Sequence, residues 1–210
     1  MQDILKEYWD SILLKYTDTL YSDELFSNLI NRYSDESRYY HNTTHIQKML
    51  DFSMEFSDAI KEIETLQLAV FYHDIIYNSL SKKNEIDSAA LAVQQLSETL
   101  FSAEKIKLME QFILSTQKHF PLIANNSDLQ YFLDFDLAIL GTSQNTYMDY
   151  AEKIRKEYKW VPAFLYNSNR KKVLEHFLNR KEIYFTEAFR NKYESIAREN
   201  MKYEIEVLLK

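Results

Sequence analysis

The sequence predicts an all-α fold, on three observations. The chain of 210 residues has a single glycine, Gly141, and only two prolines, so the turns that hairpins and β-sandwiches depend on are scarce. Helix-favouring Leu, Lys, Glu, Gln and Ala abound. Apolar residues also recur at three- and four-residue spacing along most of the length, the period of a helix with one buried face.

Taken in order, a first helix is expected from Asp3 to about Leu20, with Ile4, Leu5, Tyr8, Trp9, Ile12, Leu13 and Tyr16 on one face. Ser22 is the expected N-cap of a second, short helix that turns Leu25, Phe26, Leu29 and Ile30 inward. The polar segment SDESRYYHNTTH leads into a third, starting near Asn42. Ile60 to Tyr77 reads as a central buried helix. Its apolar run LQLAVFYHDIIY is about twelve residues, too short to span a membrane. After the polar loop NSLSKKNE, helices are expected over Glu85–Phe101 and from Ser102 or Ala103 to about Lys118. A shorter helix starts at Asp128 and is closed by Gly141 as C-cap. Asn145–Trp160, Pro162–Leu178 and Thr186–Leu209 complete the set, the second with proline at its start, where it is tolerated. No repeat, low-complexity tract or linker marks a boundary, so one domain over residues 1–210 is expected.

Composition narrows the chemistry. With 46% hydrophobic and 15% aromatic residues the chain is rich enough for a packed core. Its net charge of −7 argues against a general nucleic-acid or anionic-membrane surface. The absence of cysteine excludes disulfides, thiolate nucleophiles and cysteine-ligated metal or iron–sulfur centres. One glycine cannot supply a dinucleotide fingerprint, a P-loop or a G-x-S-x-G elbow. The N-terminal stretch MQDILKEYWDSILLKY lacks the pattern of a signal peptide, so a cytoplasmic protein is expected.

The residues that stand out are His73 and Asp74, side by side in an apolar run. A carboxylate there is costly unless a metal, a cation or hydrogen bonds meet it. His41 and His45 are spaced i, i+4 and share a helical face if the helix has begun by Asn42. Histidine nitrogen with carboxylate oxygen suits Mn, Fe, Co, Ni or Zn. On the residues alone, His45, His73, Asp74 and a later aspartate make a possible site. A core histidine bonded to a neighbouring carboxylate is the competing reading. Adjacent residues diverge by about 100° on a helix, so the dipeptide is no chelate by itself.

The ordered set of His45, His73-Asp74 and Asp136 resembles the HD superfamily of metal-dependent phosphohydrolases. Tyr40-His41-Asn42-Thr43-Thr44-His45 is similar to the Y-H-N-x-x-H box of cyclic-nucleotide phosphodiesterases, and Phe135-Asp136-Leu137 to their A-D-L segment. With NEIDSAA, DFDLAILG and RKEY following, the chain from Arg38 to the C-terminal helix is similar to a bacterial subfamily of predicted HD phosphohydrolases. The resemblance implies a single HD-type helical bundle around a metal site. The site's core would fall at about residues 38–141, with C-terminal helices 145–210 packed on it. It implies a divalent ion (Mn, Fe, Co, Ni, Zn or Mg) held by His45, His73, Asp74 and Asp136, with Asp74 catalytic as a bridge to a possible second ion. His41 falls where phosphodiesterases keep a proton donor.

Other positions have several readings. Asp134 and Asp136 point nearly opposite ways on a helix, so one should reach the metal. Asp136 is preferred for its place before Leu137, with Asp134 the alternative ligand or a residue orienting a ligand. His119 is a possible second-metal or phosphate contact, or a helix-end residue. Glu85 and Ser88 fall near the pocket or in a capped helix start, Arg38, Lys82 and Lys83 are phosphate candidates or solvated charges, and His176 is structural. Departures matter too. The glutamine and aromatic clamp of phosphodiesterases cannot be aligned, and Tyr77 stands near the place of the nucleotidase glutamate. The expected activity is hydrolysis of a small phosphate ester, in a nucleotide or related metabolite. Two further readings are a non-catalytic nucleotide-binding or regulatory module and a di-iron oxygenase. No nucleic-acid or membrane partner is expected, and a homodimer is plausible.

Overall fold

The computed structural model describes residues 2–209. Among these the regular structure is ten α-helices and two short 3-10 turns, with no strand. The all-α expectation holds. The chain forms two compact units, Met1–Leu133 and Asp134–Lys210.

The first unit holds α1 (Gln2–Leu13), α2 (Thr19–Tyr33), α3 (Thr43–Glu55), α4 (Ile63–Tyr72), α5 (Asn84–Leu96) and α6 (Ala103–Thr116). It also holds most of α7 (Ser127–Leu137), an uninterrupted helix that continues across the division. At its centre is α4, buried at every position from Thr65 to Tyr72 and packed against α3, α5 and α6. A helix apolar on all sides is stable in water only when enclosed in this way. Trp9 of α1 meets Phe71 of α4 edge-on, with ring centroids 5.2 Å apart. Its indole N–H donates to Ser22 Oγ at 3.0 Å.

Several expected boundaries move. α1 ends at Leu13, well before Leu20. Ser22 lies buried inside α2, and Asp18 caps that helix by accepting from the Tyr21 N–H at 2.9 Å. α5 stops at Leu96, and the Leu100 N–H turns to the carbonyl of Tyr16. The largest change is in α4, which is ten residues long rather than running from Ile60 to Tyr77. At its start the Asp128 carboxylate accepts the N–H groups of Lys61 and Glu62. Beyond its end, Arg38 takes the carbonyls of Asp74 and Ile75. These contacts satisfy backbone groups on either side of the helix that would otherwise be left without partners.

The second unit holds the last turn of α7, a 3-10 turn over Ala138–Gly141, α8 (Gln144–Glu157), α9 (Ala163–Leu178) and α10 (Glu187–Leu208). Ser143, Pro162 and Thr186 are their N-caps. Gly141 is not the expected left-handed C-cap, because its φ is not positive. It is needed for space, since a Cβ there would fall 2.5 Å from Tyr193 Cβ and 2.7 Å from the Tyr193 carbonyl oxygen. Glu204, buried on α10, is held by a bidentate Arg170 at 2.8 and 3.1 Å and by a short bond from Tyr147. Among the described residues no helix is long and apolar enough to cross a membrane.

Candidate metal centre

The centre is built where α3 begins and α4 ends. Asn42 caps α3 by accepting the Thr44 N–H at 2.9 Å, which starts the helix early enough to place His45 in its first turn. His73 is the C-cap of α4 and is almost fully buried. Its Nδ1 lies 2.8 Å from the carbonyl of Val70, one turn back. A carbonyl can only accept, so Nδ1 carries the proton and, in the neutral ring, Nε2 presents a lone pair.

That Nε2 faces two further donor atoms. It is 3.3 Å from Nε2 of the buried His45 and 3.1 Å from Oδ2 of the half-buried Asp74. Imidazoles bind borderline divalent ions at about 2.0–2.1 Å, so two of them sharing one ion stand roughly 2.8–3.0 Å apart at an octahedral angle and roughly 3.3–3.4 Å apart at a tetrahedral one. The observed spacing matches. Because α4 ends at Tyr72, Asp74 escapes the divergence that a helix would impose and reaches its neighbour's ring. His45, His73 and Asp136, on the last turn of the continuous α7, each offer a ligand atom within 4.8 Å of the others. These nitrogen and oxygen donors fit a transition-metal ion. Asp74 touches the edge of this trio through His73.

Asp134, two residues before Asp136 on α7, does something else. It is completely buried and accepts from the N–H groups of Phe185 and Thr186, both at 2.8 Å, and from Thr186 Oγ1 at 2.7 Å. Burial pushes its carboxyl up to about 6 against the pull of these three donors. Thr186 is the N-cap of α10, so Asp134 fixes the start of that helix.

The surrounding residues hold the backbone. Arg38 is buried and donates to the carbonyls of Asp74 at 2.6 Å, Ile75 at 2.9 Å and His41 at 3.4 Å. Its guanidinium also lies over the rings of Tyr33 and Tyr77. It therefore ties the His41 segment to the His73-Asp74 segment. The Tyr33 hydroxyl accepts the Asp74 N–H at 3.2 Å. Ser88, buried in α5, accepts the Ile76 N–H at 3.0 Å, and Asn84 clasps both backbone groups of Asn78. Nothing in the residue pattern had singled out Tyr33; its only signal was an aromatic ending the inward stripe of α2.

His41 is half-buried and stacks on Tyr77, with centroids 4.4 Å apart and planes inclined by 29°. Its ring centre is 6.2 Å from that of His45. Glu85 is half-buried in the first turn of α5, while Lys82 and Lys83 are exposed on the loop before it. His119 falls outside the trio and closes α6 in the left-handed conformation, φ 43°. The N–H groups of Phe120 and His119 bond back to Ser115 and Thr116, the double bond of a Schellman cap. His176 is exposed on α9 beside Arg180.

No family model matches the chain, and no curated protein or solved structure matches it.

Proposed function

We propose that the protein is a metal-dependent phosphohydrolase acting on a small phosphate ester, in a nucleotide or a related metabolite. The observation that carries this reading is the convergence of His45, His73 and Asp136, each of which offers a ligand atom within 4.8 Å of the others. Three groups that accept from, or ligate, a positive centre are turned toward one another in a largely buried place. The order of His41, His45, His73-Asp74 and Asp136, resembling the HD superfamily, supports phosphate-ester chemistry over other uses of such a centre.

His45, His73 and Asp136 would hold the ion, with Asp74 as a further ligand. When bound, the ion supplies Lewis acidity, lowering the pKa of a water toward neutrality and polarising a phosphoryl oxygen. The Val70 carbonyl keeps the His73 proton on Nδ1, so Nε2 stays available for ligation. Arg38 and Tyr33 fix the backbone of Asp74. His41, its ring held against Tyr77, donates a proton to the leaving oxygen.

The test is to purify the protein without chelator, determine bound metal by elemental analysis, and screen phosphate esters beside an Asp74→Ala variant. The expected result is bound transition metal and phosphate release that disappears in the variant. In His41→Ala, metal should be retained while turnover falls about 10²-fold to 10⁴-fold. A folded protein that takes up none of Mn²⁺, Fe²⁺, Co²⁺, Ni²⁺ or Zn²⁺ and releases no phosphate would overturn the proposal in favour of a non-catalytic module.

A further inference from the structure

We infer that a cavity among α8, α9 and α10 binds a small uncharged alcohol with an apolar body. Its volume is about 690 Å³, a size typical of small-molecule sites. Met148 and Ala151 of α8, with Val207 and Leu208 of α10, give it an apolar wall. Tyr166 of α9 and Glu204 of α10 line it as well. None of these residues belongs to the candidate metal centre.

The Tyr166 hydroxyl calls for a ligand. The residue is only 7% exposed, and its hydroxyl is buried with no hydrogen-bond partner in the chain. Folded proteins rarely leave such a group unmet, because it has given up water for nothing. The ring is packed in place, with the Arg155 guanidinium 4.7 Å from its centre and the Tyr158 ring 5.9 Å away. Burial pushes its pKa up to about 12, so at neutral pH the hydroxyl keeps its proton and can donate.

Glu204 supplies the complementary group. Its Oε2 accepts from Arg170 and Tyr147, whereas its Oε1 accepts from Arg170 alone, at 2.8 Å. A carboxylate oxygen has room for a second donor. A ligand hydroxyl accepts from Tyr166 and donates to Glu204 through one atom.

The charges around the cavity argue against an ion. Arg155 is committed to the carbonyls of Tyr158 and Val161, and Glu204 is matched by Arg170. On the exposed side Asp149 pairs with Lys153 at 2.7 Å and Glu152 with Lys156 at 2.8 Å. An ion entering here would lose hydration and meet no unmatched charge.

Benzyl alcohol, toluene, benzoate and benzylammonium share one ring and differ at its head. Each is titrated into the isotope-labelled full chain, with the signals of Ala151 and Val207 followed by NMR. The expected result is saturable shifts with benzyl alcohol, and binding of the other three that is weaker by about threefold or more. Tyr166→Phe should lower the affinity for benzyl alcohol about twofold to tenfold, to the level of toluene. Its melting temperature should equal or exceed the parent's, since the substitution removes a hydroxyl that the free protein leaves unmet. Val207→Trp, placed at a half-exposed position of the wall, should block the cavity and abolish the shifts while the circular dichroism melt is kept. Absence of shifts with benzyl alcohol up to its solubility limit, or equal affinity for all four compounds, would overturn the inference. So would a lower melting temperature in Tyr166→Phe, which would mean that a bound water already meets the hydroxyl.

Discussion

His73 and Val70 are three residues apart, and the 2.8 Å bond from the imidazole Nδ1–H to the Val70 carbonyl settles which nitrogen of His73 can ligate. The ring is oriented by its own helix. His73→Ala and His45→Ala should each weaken Ni²⁺ or Mn²⁺ binding by at least about 100-fold, more than the loss of an outer partner normally costs. In the parent protein, metal at 100 times its Kd should add about 2.7 kcal/mol of stability, removed by chelator. Calorimetric titration with thermal melts, with and without chelator, measures both. Equal metal affinity in parent and variants would exclude these histidines.

The two aspartates of DFD should separate by phenotype. Asp136→Asn is expected to lower metal affinity with little change in the melting of the metal-free protein. Asp134→Asn replaces a carboxylate buried against three donors, and should cost about 2–4 kcal/mol in stability while metal binding persists. Denaturant unfolding of the metal-free variants, set beside metal titration, reads the pair. Equal effects from both substitutions would contradict the division of roles.

His119 holds a backbone conformation that glycine adopts at no steric cost. His119→Gly should therefore raise stability, by up to about 1 kcal/mol, if the Schellman cap is its whole role. Urea midpoints compared at unchanged slope give the value. A loss of turnover accompanying the gain would place His119 in the chemistry as well.

How much of this was legible in the sequence differs by kind of signal. The starts of α3, α6, α9 and α10 were readable because a capping residue or proline sits directly before each. Residues two apart on a helix point apart, so spacing showed that one aspartate of DFD could join the histidines; that it is Asp136 was legible only through its place before Leu137. The ends of α4 were hidden. The residues that satisfy the backbone there, Asp128 and Arg38, are each distant in sequence, and local pattern shows only an apolar run that continues through Ile76. Gly141 was visible but misread, because the constraint on it comes from Tyr193 on another helix rather than from its own φ. Asp134 was visible without its task, since its partners Phe185 and Thr186 lie some fifty positions on.

The ending of α4 at Tyr72 has one more consequence. The Val70 carbonyl is met by the same ring whose other nitrogen faces His45. An ion bound there would be released as that last turn frays. Occupancy and local unfolding share one equilibrium, so amide exchange at His73, whose N–H is bonded to Ala69, should slow in step with metal uptake.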